Sequence, residues 1–335
     1  MSSSLVFITG ATGFIGASTA LAALNAGYRL RISVRKESKI ESLKSIFSDH
    51  ANSLEFVIVP GITVPGAFSK VLDNVEYILH LASPLAGLVD KDKVYRPAIE
   101  GTLNIMRDAA KVTSIKKVII TSSIHAFMPL EGPTDGLVLK EDSSLDLSVD
   151  LNRDYNEGND FLTSFKIYHA SKLLANQASW EFLQNESPGF VLITIHPSMV
   201  FGHSLIQKSA EEIQGSTNGL LFGRIMNGAL SDGLLTSVYV GDMADAHVKA
   251  LNPALESSSS YLVSGQPLTW KDVVEVLQKD YPTLPYKLVP STNPKVSKAD
   301  TSKAEKELGL RWAKPEKFIK EVMDQQLAFL KHDSL

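Results

Sequence analysis

The sequence predicts an α/β fold: a doubly wound parallel sheet carrying a smaller, mostly helical and discontinuous second domain. Three observations predict it. Short apolar runs alternate with longer helical patterns through residues 1–197. The runs are rich in Val, Ile and Leu with little polar alternation, as strands buried on both faces must be. A glycine-rich turn joins the first run to the first helical pattern.

The predicted strands are Leu5–Thr9, Arg29–Val34, Leu54–Val59, Tyr77–Leu81, Lys117–Thr121 and Val191–His196. Between them, Ile15–Ala26, Tyr95–Lys111 and Tyr168–Leu183 space apolar residues three and four apart. Strands alternating with helices require right-handed crossovers, hence a parallel sheet. Beyond residue 197 the rhythm changes: Gly215, Ser216, Gly219, Gly223, Gly228 and Gly233 accumulate, and helical patterns dominate. Thr236–Val240, a helix from Asp242 and Tyr261–Ser264 still read as core elements. The expected division is therefore 1–197 with 236–265 for the sheet domain, and 198–235 with 266–335 for a cap, with a cleft between them.

At 335 residues, 44% hydrophobic and 21% charged, the chain can bury a full core. Its 33 basic and 37 acidic residues give a net charge of -4, with no basic footprint for nucleic acid or an anionic membrane. It has no cysteine, which excludes disulfides, thiolate metal sites and a catalytic thiol. No run has the form of a targeting leader or a membrane span, so the expected location is cytoplasmic.

Thr9-Gly10-Ala11-Thr12-Gly13-Phe14-Ile15-Gly16 follows the first strand and opens the first helix. Glycines at 10, 13 and 16 suit a tight turn, close backbone approach to a pyrophosphate, and helix–strand packing. The helix start then offers free N–H groups and a positive dipole end to an anion. A dinucleotide lacking a 2′-phosphate usually meets a carboxylate at the end of the second strand. Here Arg35 follows Val34, with Lys36 and Lys39 close behind, so the sequence predicts NADP(H) rather than NAD(H).

Tyr168 and Lys172 are four apart and share a helix face. An ammonium beside a phenol lowers the phenol's pKa and tunes it to give a proton to a carbonyl oxygen. Thr121-Ser122-Ser123 follows the fifth strand, where ligands of such sheets bind, and a serine there can hold the substrate oxygen.

Taken together, the set resembles the extended short-chain dehydrogenase/reductase superfamily, with its Rossmann-type sheet. The likeness is greatest to dihydroflavonol reductases and fungal methylglyoxal, aldehyde and ketone reductases. It is carried by the Thr9–Gly16 loop, Leu81-Ala82-Ser83-Pro84, Gly101-Thr102-Leu103-Asn104, Thr121-Ser122-Ser123 and Tyr168…Lys172. His196-Pro197-Ser198-Met199-Val200-Phe201-Gly202 and Val240-Gly241-Asp242-Met243-Ala244-Asp245-Ala246-His247 extend it over nearly the whole chain.

The resemblance implies Tyr168 as general acid, Lys172 as its pKa-lowering and ribose-binding partner, and Ser123 as the ligand of the substrate oxygen. It implies Asn104 as support for a water leading to the lysine, and Ala82 and Ser83 beside the cofactor ribose. It places the Pro197–Val200 backbone, including Met199, at the nicotinamide, and Arg35 and Lys39 on the 2′-phosphate. Where the family usually has an Asp for adenine, this chain reads Val59-Pro60-Gly61-Ile62, leaving Ile62 and backbone to line that pocket. His125, Phe127, Phe165, Met199 and Phe222 are candidates for the substrate pocket. No histidine cluster has metal-ligand spacing, so no metal is expected.

The resulting expectation is an NADPH-dependent reductase of a small-molecule carbonyl compound, monomeric rather than homodimeric. An NAD-dependent nucleotide-sugar epimerase or dehydratase, and a non-catalytic NADP-sensing protein, stay open as alternatives.

Overall fold

The computed structural model describes residues 4–83, 87–134, 136–228, 236–290 and 298–332. Pro84 and Gly233 of the motifs above lie outside the described residues. The chain opens with β1 (Leu5–Thr9), α1 (Phe14–Asn25), β2 (Arg29–Val34), α2 (Ile40–Ile46), β3 (Leu54–Ile58) and β4 (Tyr77–His80). Next come α3 (Asp92–Ala109), β5 (Lys117–Thr121), β6 (Val138–Leu139), α4 (Asp160–Glu186), β7 (Val191–Pro197) and β8 (Met199–Phe201). The remainder is α5 (Thr217–Asn227), β9 (Ser237–Tyr239), α6 (Val240–Ala250), β10 (Ser259–Val263), α7 (Trp270–Asp280), β11 (Lys298–Ala299), α8 (Ser302–Glu307) and α9 (Pro315–His332).

Seven strands form one parallel sheet in the order β10-β7-β5-β4-β1-β2-β3. The lack of polar alternation has a direct cause in β1. Val6 and Ile8 pack into one core cluster, while Leu5 and Phe7 pack into another on the opposite face. Because the order reverses direction at β1 and β4, the carboxyl ends of these neighbouring strands border a crevice where ligands of such sheets bind.

Two elements differ from expectation in ways that matter for the site. Helix α4 begins at Asp160 rather than Tyr168, about two turns earlier. Asn159 caps it, its side chain accepting from the N–H groups of Phe161 and Leu162. Tyr168 therefore sits inside a long helix, rigidly held, instead of at a frayed end.

The second difference concerns the packing of residues 298–312. Phe201, Leu221, Ile225, Trp270, Leu277, Phe318 and Met323 do share a separate cluster formed by β8, α5, α7 and α9. The segment 298–312 does not belong with them. β11 pairs with β6, and Ala304, Leu308 and Leu310 join the sheet-side cluster, with Trp312 packed against it. Ala304 is buried from α8 itself, and Leu308 and Leu310 from the chain just beyond it. Among the described residues, no helix is long and apolar enough to cross a membrane.

Candidate active site

The turn after β1 is shaped by close backbone approach. Gly10 has φ +79°, and a Cβ there would lie 2.7 Å from the Ala82 nitrogen. At Gly16 a Cβ would lie 2.0 Å from the Gly10 carbonyl oxygen. Gly13 precedes α1 with no side-chain cap, and the first helical turn, with Phe14 and Ile15, carries no acidic residue. Thr12 is exposed at the loop tip. The uncapped helix end, free of competing carboxylates, suits a pyrophosphate.

Arg35 and Lys39 lie just beyond β2, both exposed. Basic side chains flank the place where a dinucleotide's adenosine end would lie, and no carboxylate ends β2. The residues present therefore fit a dinucleotide, and fit one bearing a 2′-phosphate. Ile62 is pinned against α3: a Cβ on Gly101 would lie 2.7 Å from its Cδ1, and its carbonyl accepts from Asn104 Nδ2 at 3.2 Å.

The latter contact corrects the expectation for Asn104. Its side chain also accepts from Arg107 at 3.2 Å, so both its amide atoms are engaged in bracing the loop after β3 and α3 itself. Its turn of α3 points to that loop, where Asp108 also holds the Phe68 N–H at 3.1 Å.

Ser123, Tyr168 and Lys172 converge where β4 and β5 end. Lys172 Nζ donates to Ser83 Oγ at 2.7 Å and lies 5.2 Å above the centre of the Tyr168 ring. Burial brings its pKa down to about 8. Ala82 is anchored by its N–H to Thr9 Oγ1 at 3.1 Å, which fixes Ser83 in turn. Ser123 acts on the Tyr168 hydroxyl, favouring its ionised form. Ser122 faces a different space, a narrow cleft of about 20 Å³ behind Lys172.

The phenol departs from expectation. Loss of water raises the Tyr168 pKa above its ordinary value, and Ser123 only partly opposes this. Burial dominates the phenol, and Lys172, over the ring face, gives its hydrogen bond to Ser83. A raised phenol is fully protonated at neutral pH, which is the form an acid needs.

The loop bearing Ser123 is held by histidines to which the sequence assigned no role. His196 Nδ1 donates to the Ser123 carbonyl at 3.1 Å, and its Nε2 accepts from Thr194 at 2.8 Å. His247 Nδ1 donates to the Met243 carbonyl at 2.8 Å, so its Nε2 accepts from Thr121 at 2.7 Å. Burial holds His196 at about 3 and His247 at about 4, so both are neutral struts. Asn176 and His80 were missed as well. Asn176 Oδ1 and His80 Nε2 are buried without a hydrogen-bond partner, and both residues line the cleft behind Lys172. Asn176 lies four residues after Lys172, so the spacing that paired Tyr168 with Lys172 could have flagged it.

The pocket candidates separate. His125 Nδ1 lies 3.0 Å from Ser123 Oγ, and burial keeps its pKa at about 3. Phe165 meets His125 edge-on at 5.1 Å, beside Tyr168. Phe127 is a correction: it is 8% exposed and packs on His196 at 4.6 Å, because its short helical turn directs it inward. Met199 and Phe222 are half-buried against the α5, α7 and α9 cluster. Pro197 ends β7, Met199 N–H bonds to the Thr236 carbonyl at 3.2 Å, and the Val200 carbonyl accepts from Thr217 at 2.5 Å. Among the described residues, no group of three His, Asp or Glu side chains could hold a metal.

Comparison with known proteins agrees with this arrangement. Residues 7–288 match the 3-beta hydroxysteroid dehydrogenase/isomerase family. Ketoreductase sphI of Aspergillus fumigatus is 46% identical over 332 residues, covering 98% of this chain and 99% of the relative. Aldehyde reductase 2 of Sporidiobolus salmonicolor is 29% identical, covering 97% of this chain and 96% of its own. The solved structure of Gre2 in complex with NADPH from Candida albicans superposes with a TM-score of 0.83 at 25% identity, covering 97% of this chain and 99% of that one. With the seven-stranded parallel sheet, the glycine turn and the Ser–Tyr–Lys convergence, the chain belongs to the 3-beta hydroxysteroid dehydrogenase/isomerase family and is an oxidoreductase of the extended short-chain dehydrogenase/reductase superfamily.

Proposed function

We propose that the protein is an NADPH-dependent carbonyl reductase converting an aldehyde or ketone to an alcohol. The observation that carries this reading is the meeting of Ser123, Tyr168, Lys172 and Ser83 at the carboxyl ends of β4 and β5. Ser123 and the Tyr168 hydroxyl hold the substrate oxygen, and Tyr168 gives it a proton. Reduced nicotinamide, when bound, supplies the hydride. Lys172 binds the ribose, with Ala82 and Ser83 beside it, and the Pro197–Val200 backbone meets the nicotinamide. The glycine turn holds the pyrophosphate, Arg35 and Lys39 the 2′-phosphate, and Ile62 borders the adenine. The 298–312 segment joins residues 1–197 and 236–265 in the nucleotide-binding domain, and the rest forms the cap over the substrate. Consumption of NADPH with a panel of aldehydes, ketones and dicarbonyls tests the reading; binding without turnover across the panel would return the sensing alternative.

The epimerase reading has support in two relatives: NAD-dependent epimerase/dehydratase FUM13 of Gibberella moniliformis, 31% identical over 83% of this chain, and NAD-dependent epimerase/dehydratase ALT6 of Alternaria alternata, 33% identical over 74%. Against it stands Arg35 where an NAD-binding carboxylate would be. Arg35→Ala is expected to raise the KM for NADPH about 10- to 100-fold, the worth of a lost charge-assisted hydrogen bond, with NADH nearly unaffected. Equal losses with both cofactors would remove the 2′-phosphate from this position.

The rate should also depend on pH in a specific way. His80, His125, His196 and His247 are held at about 4, 3, 3 and 4, so none titrates near neutrality. Lys172 is charged below about 8 and loses its charge above it. The kcat/KM for NADPH should therefore be level from pH 6 to 7 and fall as pH rises through about 8. A limb near 6.5, the ordinary histidine value, would contradict the neutral struts.

A further inference from the structure

Three aromatic rings leave the reacting centre along one face of α4. Tyr168, Phe165 and Phe161 are spaced three and four residues apart, which aligns them on the helix surface. Phe165 lies 6.5 Å from Tyr168 with ring planes at 35°, and Phe161 lies 6.5 Å from Phe165 with planes at 16°. Exposure rises outward: Phe165 is 38% exposed and Phe161 60%. His125 closes the inner end, edge-on to Phe165 at 5.1 Å and to Tyr168 at 6.0 Å.

A single exposed phenylalanine needs no explanation. Two stacked ones continuous with a proton donor are different, because they extend the site's apolar surface into water. The charged Lys166, which follows Phe165, is taken up in ion pairs with Glu131 at 3.2 Å and Glu157 at 3.3 Å.

We propose that the Phe165–Phe161 stair seats the substrate's apolar tail. The substrate is then a carbonyl compound whose unbranched hydrocarbon chain runs outward from the reacting carbon. The seven residue steps from Phe161 to Tyr168 span about 10 Å of helix, which matches a chain of octyl size. Continuity with Tyr168 favours this occupant: a chain on these rings ends at the hydroxyl that protonates the carbonyl oxygen. The inference rests on the carbonyl reductase reading and adds the class of substrate to it.

The test is kcat/KM for NADPH-dependent reduction of methyl ketones from butanone to dodecan-2-one. Each methylene laid on the rings should raise kcat/KM about two- to fourfold, levelling once the chain passes Phe161. Phe161→Ser should lower the ratio of decan-2-one to butanone about tenfold. The residue is mostly exposed, so the fold is retained, and an unchanged Tm verifies that. Butanone reduced with no gain from longer chains would overturn the stair while leaving the reductase reading intact. No turnover of any ketone, or of the wider carbonyl panel, would overturn both. An unchanged ratio in Phe161→Ser, with loss of a dimer seen by light scattering, would assign the rings to self-association instead.

Discussion

Replacing Tyr168 by Phe is expected to lower kcat for carbonyl reduction about a hundred- to ten-thousand-fold, the usual worth of a positioned general acid. The substitution removes one hydroxyl and leaves the ring under Lys172 Nζ, so the cation above it keeps its support. The loss should therefore fall on kcat, with NADPH affinity little changed, because Lys172 still reaches Ser83. Steady-state kinetics with NADPH binding followed by fluorescence separate the two quantities. The raised phenol strengthens the expectation: an acid protonated throughout the neutral range has no ready substitute in the pocket, since His125 is held neutral at about 3. Full activity in the variant would sink the mechanism.

Gly16→Ala is expected to reduce NADPH affinity at least about tenfold and to lower stability by about 1–3 kcal/mol. In an ordinary helix this change would stabilise, by about 1 kcal/mol, because alanine is the better helix former. Here the added Cβ would lie 2.0 Å from the Gly10 oxygen, 2.6 Å from the Gly10 carbonyl carbon and 3.0 Å from Ala11 Cα. All three are backbone atoms, and no side chain can rotate to make room. The turn must open, carrying the start of α1 away from the anion it would hold. Gly223 in α5 is the internal control, with its nearest neighbour 3.9 Å from the added atom. Gly223→Ala should be neutral or stabilising in Tm, and Gly16→Ala clearly lower. Equal Tm values would show that the turn is softer than its geometry.

Much of the fold was legible because local rules and global packing agree. Leu5–Thr9, Arg29–Val34 and Lys117–Thr121 form strands with the predicted bounds; Leu5–Thr9 is buried throughout, while Arg29–Val34 buries its apolar residues and leaves Arg29 exposed. The start of α4 was not legible: Phe161 and Leu162 are exposed apolar residues, and periodicity alone cannot mark a helix that buries neither. Only the Asn159 cap signals it. The placement of 298–312 was hidden for a related reason, because a short amphipathic segment fits either core equally well.

The site divides along the same line. Gly10, Gly16, Tyr168, Lys172 and Ser123 are written in the sequence, because a turn, a helix face and a strand end each fix their residues by local spacing. Direction and environment were decided by the tertiary structure. Asn104 turned to Ile62, Phe127 turned into the core, and His196 and His247 became neutral struts only when distant elements closed around them. The sequence alone determined which residues stand in the glycine turn, on the helix face and at the strand end. Only the packed chain decided that Tyr168 is raised and Lys172 lowered to about 8, since a pKa depends on the water that burial removes, and no spacing of residues encodes that.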